Sequence, residues 1–327
     1  MTLIKKLAKR IVYKMPQRIK KMVYCIYNSV HYPEMKEKKM SFGEKYPEQI
    51  FYVIRPITNS VEGLMALLYS VLLQISYAEI QGYTPVVDYK NYKTQYNIAD
   101  ENAWECFFKQ VSPYSLDDVY LSKNVILSGL NATSEAYAYL KDRSCKLEDI
   151  KKTHSLLNKY ITCSPEVLKL YQKEAEVICP ESCIGLYLRG TDYTKLKPVG
   201  EPKQPTVEDA IDMVEQYKKK YKLKHVFLVT EDADIYTAVK KVYEDDLKVV
   251  SFDKYIKNYT ATDFLARDGS LEQLSSDPHT RGLNYLVKIL LLSKCRCIVG
   301  GKTSGSWAAC AFADEGTEFE IFELGEY

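Results

Sequence analysis

The chain has 327 residues, enough for two units of about 150 that each bury a core. With 46% hydrophobic and 27% charged residues, 28 tyrosines and little glycine or proline, the composition is that of a folded protein and excludes a disordered chain. A formal net charge of +2 lacks the strong basicity of nucleic-acid binders, so no nucleic-acid partner is expected.

The charge is nevertheless uneven. Residues 1–45 form a basic arm in which Lys5, Lys6, Lys9, Arg10, Lys14, Arg18, Lys20 and Lys21 alternate with Leu3, Leu7, Ile11, Met15, Ile19 and Met22 at near-helical spacing. Pro16 interrupts any single helix there. A basic amphipathic segment of this kind is expected to lie on a membrane surface through residues 1–40. No run of about 18 uncharged apolar residues is read anywhere, so no spanning helix is expected, and the arm lacks the apolar stretch of a signal peptide. The expected location is cytoplasmic, peripheral on the inner face of the membrane. Nine cysteines and four scattered histidines show no metal-ligand spacing, so buried free thiols and no metal site are expected.

In chain order, a strand over 50–54 ends at Arg55 and leads to a helix over 61–81, whose Leu64, Leu67, Leu68, Val71, Leu72, Ile75 and Ala78 make a wide apolar face. A strand over 84–88 follows. Strand, helix and strand within about forty residues make a right-handed βαβ unit, which predicts a Rossmann-like first domain over 46–178. From 101 to 177 the pattern is mostly helical and polar, with one short apolar run at 124–127. The second domain, 179–327, alternates more regularly, with strands at 184–188, 225–229, 248–251, 297–299 and 319–322. Its helices fall at 207–221, 233–243, 282–294 and 306–312. The fold class is α/β, and two such units facing each other across a cleft match, by analogy of fold, the GT-B glycosyltransferase architecture.

Ligands of open α/β sheets gather beyond the carboxyl ends of the strands, so the residues after each strand carry the argument. After the strand at 184–188 come Arg189, Gly190, Thr191 and Asp192. An arginine there forks onto a pyrophosphate, Gly190 lets the backbone come close, and Asp192 holds the arginine in place. A structural ion pair is the plainer alternative. After the strand at 297–299, the segment with Gly301, Lys302, Thr303, Ser304 and Ser306 opens a helix and reads as an anion cradle. It is not a P-loop, because that motif's first glycine would fall at Arg296. At the end of the strand at 225–229, Glu231 and Asp232 are placed to accept hydrogen bonds from a base or ribose. Asp192, Glu231 and Asp232 are all candidates for the group that takes an acceptor's proton, and helix capping is the alternative for each.

The stretch from Tyr187 to Asp192 resembles the His-x-Arg-x-x-Asp motif of the GDP-fucose-dependent α1,2/α1,6/protein O-fucosyltransferase superfamily, with Tyr187 in the place of the histidine. Phe227-Leu228-Val229-Thr230-Glu231-Asp232 is similar to that family's middle motif. Leu291-Leu292-Ser293 with Thr303-Ser304 is similar to its last motif, with Lys288 near the position of a family aspartate. Arg55, Glu62-Gly63-Leu64 and Asn102-Ala103-Trp104-Glu105 resemble its opening segments. The resemblance runs in order from about residue 51 to 322. It implies that Arg189 binds the donor diphosphate together with Thr303 and Ser304, and that Tyr187, Gly190, Glu231 and Asp232 lie at the donor.

Together these readings predict an inverting, metal-independent transfer of fucose from GDP-fucose, the donor substrate, with no cofactor. Arg189, Asp192 and Glu231 are the catalytic candidates. The acceptor expected is a glycan or lipid-linked glycan of cell-surface polysaccharide biosynthesis. Two readings stay open on the residues alone: a nucleotide-sugar-binding protein of the same fold without turnover, and a glycosyltransferase using another donor. A sulfotransferase or kinase is weakened by the missing P-loop glycine.

Overall fold

The computed structural model describes residues 36–56, 62–129, 143–260 and 262–327, with Met15, Pro16, Ile19, Val23 and Ile26 of the arm. The basic amphipathic stretch expected to meet a membrane therefore lies almost wholly outside the described residues.

The first sheet contains β1 (Lys38–Met40), β2 (Lys45–Ile54), β3 (Thr84–Val87) and β4 (Ser122–Leu127), in the order β1-β4-β2-β3. β2 runs parallel to both neighbours, with Tyr52 opposite Pro85 on one side and Ile126 on the other. Phe51, Tyr52, Val53 and Ile54 are fully buried, as a strand covered on both faces must be. Two expectations are corrected here. The short apolar run at 124–127 is no interruption of a helical region but the end of β4, a strand next to β2 and too short for its period to show. Residues 38–40, read as part of the arm, pair antiparallel with β4 as an edge strand, and exposed Lys38 and Lys39 are the residues such an edge carries.

Between β2 and β3 lies α1 (Leu64–Gln81), capped at its carboxyl end by Gly82 in the left-handed conformation, φ 71°. It is long and apolar enough to cross a membrane, which corrects the expectation that no such helix exists. Since 67% of it is buried inside the protein, it serves as the core helix of the first sheet. After the short α2 (Leu116–Val119) and β4 come α3 (Leu147–Tyr160) and α4 (Pro165–Ile178).

The second sheet is wholly parallel, with β5 (Cys183–Tyr187), β6 (His225–Val229), β7 (Leu247–Lys248), β8 (Cys297–Gly301) and β9 (Glu318–Phe322) in the order β7-β6-β5-β8-β9. Its helices are α5 (Val207–Tyr221), α6 (Ala233–Tyr243), α7 (Pro278–Ser293) and α8 (Ser304–Phe312). The chain winds outward from β5 to β7 and returns to β8 on the other side, so the switch point of the sheet lies between β5 and β8.

Helices tie the two sheets together. Glu174 of α4 accepts hydrogen bonds from Ser251 N and Oγ at 2.7 and 2.5 Å, and His154 Nδ1 of α3 lies 3.0 Å from the Ala311 carbonyl of α8. Tyr69 of α1 meets Trp307 of α8 edge to face, centroids 4.9 Å apart. One buried apolar cluster consequently runs from Tyr52 and Leu68 of the first half to Ile298 and Trp307 of the second.

Candidate active site

A cavity of about 450 Å³ lies beyond the carboxyl ends of β5, β6 and β8, closed on the far side by the start of α1 and flanked by one face of α7. The turn after β5 contributes Arg189 and Asp192 to its wall. Arg189 donates from Nη2 to Asp192 Oδ1 at 2.8 Å and stacks over the Tyr193 ring at 5.0 Å. Its Nε is buried with no hydrogen-bond acceptor, the nearest carboxylate, Glu231, standing 3.6 Å away. Burial alone would lower the guanidinium's affinity for its proton, but Glu231 and Asp192 outweigh it and hold the group well above its ordinary value. Arg189 is thus a fixed cation, gripped on one side by carboxylates and open toward the cavity.

The backbone that holds it is strained. Thr191 is fully buried with φ 42° and ψ −115°, a conformation rarely taken by a β-branched residue, and it leads into a single π turn, Asp192–Leu196. Carboxylates at the end of β6 hold it there. Glu231 Oε1 accepts from Gly190 N at 3.0 Å and Thr191 Oγ1 at 2.9 Å, and Asp232 Oδ2 accepts from Thr191 N at 2.9 Å. A second cation stands at the start of α8, where Arg143 Nη1 donates to Ser304 Oγ at 3.3 Å.

The structure brings Tyr187, Arg189, Asp192, Glu231, Thr303 and Ser304 to the cavity wall and leaves Gly190, Asp232, Gly301, Lys302 and Ser306 behind it. In the segment expected to cradle an anion, the helix start uses part of the polar groups itself. Thr303 Oγ1 accepts from Gly305 N and Ser306 N, both at 3.1 Å, while Ser306 Oγ accepts from Thr303 N at 2.9 Å. This capping box spends the amides of Thr303, Gly305 and Ser306 on the helix itself. Lys302 turns away to Glu323, 3.6 Å distant, and Gly301 packs against Gln204. Asp232 caps α6, accepting from Asp234 N and Ile235 N at 2.8 and 3.2 Å.

Of the first-half segments that resemble family motifs, Glu62 and Gly63 line the cavity and the rest do structural work. Arg55 is buried and donates from Nε to the Ser128 carbonyl at 2.9 Å. Asn102 bridges Tyr89 N and the Val87 carbonyl, each at 3.0 Å. Helix α7 adds lining residues of which the sequence reading names only Lys288. Arg281, Asn284, Tyr285 and Lys288 sit on one face of α7, and their i, i+3, i+4 and i+7 spacing along an otherwise apolar helix is a signal that the sequence carries. The Tyr285 and Tyr187 hydroxyls lie 3.1 Å apart, both phenols pushed up by burial. Lys288 pairs with Asp253 at 2.8 Å, so the lysine that departs from the family pattern has a carboxylate of its own. Among the described residues, no group of three His, Cys, Asp or Glu side chains is placed to hold a metal ion.

No family model matches this chain, and no curated protein matches it. Among solved structures it is similar to the fucosyltransferase NodZ from Bradyrhizobium, at 17% identity over 81% of this chain and 94% of that one, with a TM-score of 0.49. It is similar to NodZ α1,6-fucosyltransferase co-crystallised with GDP at 17% identity, over 81% of this chain and 93% of that one, TM-score 0.48. A third, Arabidopsis thaliana FUT1 in complex with GDP, is 11% identical, over 86% of this chain and 72% of that one, TM-score 0.43. These three solved structures are fucosyltransferases, two of them holding GDP.

Proposed function

We propose that this chain is an inverting glycosyltransferase that moves fucose from GDP-fucose to a glycan or lipid-linked glycan acceptor. One observation carries the reading: Arg189, fixed by Asp192 and Glu231 at the switch point between β5 and β8, presents the exposed part of its side chain to a cavity large enough for a nucleotide sugar. A diphosphate set against it would meet the Arg189 guanidinium, the Thr303 and Ser304 hydroxyls, and Arg143 beside Ser304. Those cations stabilise charge as it develops on the departing diphosphate, and in a partly enclosed cavity such stabilisation is the largest catalytic term. On this reading protein cations serve in place of a metal ion. The Tyr187–Asp192, Thr230–Asp232 and Thr303–Ser304 resemblances supply the choice of GDP-fucose. The basic arm supplies the rest: residues 1–40 would hold the protein at the inner face of a membrane, where lipid-linked glycans of surface polysaccharide synthesis are made.

Calorimetric titration with GDP, alongside GDP release from GDP-fucose, GDP-mannose and UDP-sugars, tests the reading. Loss of Arg189 removes charged hydrogen bonds worth about 1.5–3 kcal/mol, so Arg189→Ala should weaken GDP roughly tenfold to a hundredfold. Turnover restricted to GDP-fucose is the expected outcome; turnover of another donor would overturn the fucosyl assignment and leave Arg189 in place.

A further inference from the structure

A nucleoside-diphosphate sugar carries its negative charge on two phosphates, and Arg189 with Arg143 stands ready for them. The cavity holds more positive charge than that. Lys288 is matched by Asp253, but Arg281, in the first turn of α7, has no carboxylate partner among the described residues. The side chain is half-buried, and backbone alone holds it: Nη1 donates to the Ser275 and Ser276 carbonyls at 2.7 and 3.4 Å. Its Nε is buried with no acceptor, and no described group accepts from Nη2. A guanidinium brings five N–H donors and a full charge, and leaving them unmatched in a partly enclosed site costs free energy that an anionic ligand recovers.

Arg281 stands on the side of the cavity that α1 closes. The neighbouring Gly282 packs on aromatic rings there, since a Cβ on it would lie 2.4 Å from Phe107 Cζ and 3.0 Å from Tyr96 Cδ1. Tyr96 Oη in turn accepts from Leu64 N at 3.0 Å, at the start of α1. Burial pushes the Tyr96 phenol up to about 12, and the Leu64 amide, Arg281 and Arg189 draw it part of the way back, so Tyr96 lies in the field of both arginines. Arg267, exposed over the Phe264 ring, adds positive charge to the same cavity. Asn284, one turn after Arg281 on the cavity face of α7, offers an amide to sugar hydroxyls.

Resting on the proposed fucosyl transfer, we infer that the acceptor is acidic and that Arg281 pairs through Nη2 with its anionic group, the carboxylate of an acidic sugar or the phosphate of a lipid carrier. The donor's diphosphate is held at the second sheet by Arg189, Thr303 and Ser304, while the acceptor's charge is read beside α1. The two anions therefore do not compete for one cation. A neutral acceptor leaves Arg281 unmatched and is refused on that account, which makes Arg281 a specificity-determining residue.

The test uses the full chain saturated with GDP, which closes the diphosphate site, and titrations followed by saturation-transfer NMR. The probes come in two pairs, D-glucuronate against D-glucose and geranyl diphosphate against geraniol. One anion should bind about tenfold or more tightly than its neutral partner, as a charged hydrogen-bonded pair gives, and the pair that shows the preference names the source of the anion. Arg281→Gln should abolish the preference while GDP affinity stays within about threefold of wild type. Arg281→Lys keeps the charge but has one nitrogen for both the Ser275 carbonyl and the anion, so its preference should fall at least threefold without vanishing. Should the glutamine variant melt early, the lysine variant decides, and an undiminished preference there would overturn the inference. Equal binding of anions and neutral partners by wild type would overturn it too, as would a preference that survives in Arg281→Gln. A loss of GDP affinity as large as the loss of the anion would assign Arg281 to the donor and overturn it as well. A wild-type chain that does not bind GDP would instead overturn the transfer reading beneath it.

Discussion

A Cβ on residue 190 would stand 2.2 Å from Asp232 Oδ2 and 2.5 Å from Asp232 Cβ, distances at which something must move. Asp232 has little room to give, since it caps α6 with one oxygen and holds Thr191 N with the other. Gly190→Ala should therefore cost about 1–3 kcal/mol, the range of an overpacked site, and lower the midpoint of a thermal melt followed by circular dichroism. It should also weaken GDP, because the strained Thr191 and the Asp192 that orients Arg189 follow directly. An unchanged melt would mean that Asp232 is not the fixed point described here. At this scale much of the site was legible. An arginine three residues before an aspartate after a strand reads as a held cation, and Arg189 with Asp192 is one. The sequence could not separate cavity-facing residues from capping ones, because both uses call for Ser, Thr, Asp and Gly at the start of a helix. Ser304 faces the cavity while Ser306, two residues on, is fully buried in the capping box.

Helix α7 supplies much of the cavity's flank, so its first turn matters to the site. The apolar period predicts a helix only from 282, yet the helix begins at Pro278, with Asp277 as its cap accepting from His279 N at 3.2 Å and Thr280 N at 3.0 Å. Proline at the first position and aspartate before it are a legible start, hidden here because the apolar period begins a turn later. Asp277→Ala should cost about 1 kcal/mol in a urea melt at neutral pH. Its pH dependence has a definite sign. The Thr280 side chain and amide hold the Asp277 carboxyl below its ordinary value, so its contribution is fully present above the unfolded pKa and fades as pH falls through the lower folded one. Wild type and variant should thus converge in acid; a gap that persists there would assign the loss to the helix propensity of the region instead. The second sheet was more legible than the first for a related reason. Its strands are continuous apolar runs separated by amphipathic helices, whereas β1 is three exposed residues and β4 lies in a polar stretch.

Across the whole molecule, the cavity has two walls from different sheets, and its geometry holds only if those walls keep their relation. Trp307 is where they meet: fully buried in α8, it packs on Tyr69 of α1 within the cluster that spans both halves. Truncation to alanine in such a core costs about 3–5 kcal/mol, and the cluster's continuity says that both halves should feel it. The chain contains two tryptophans, so Trp307→Ala leaves Trp104, buried beside Phe108 in the first half, as the single indole. Urea unfolding of this variant can then be followed by Trp104 fluorescence for the first half and by far-ultraviolet circular dichroism for the whole. Coincident transitions, both moved to lower urea by the same amount, are the expected result and the signature of one cooperative unit. A fluorescence transition left at the wild-type midpoint while the dichroism shifts would show two independent halves. In that case the two walls of the cavity would have to be held together by the bound nucleotide sugar rather than by the core.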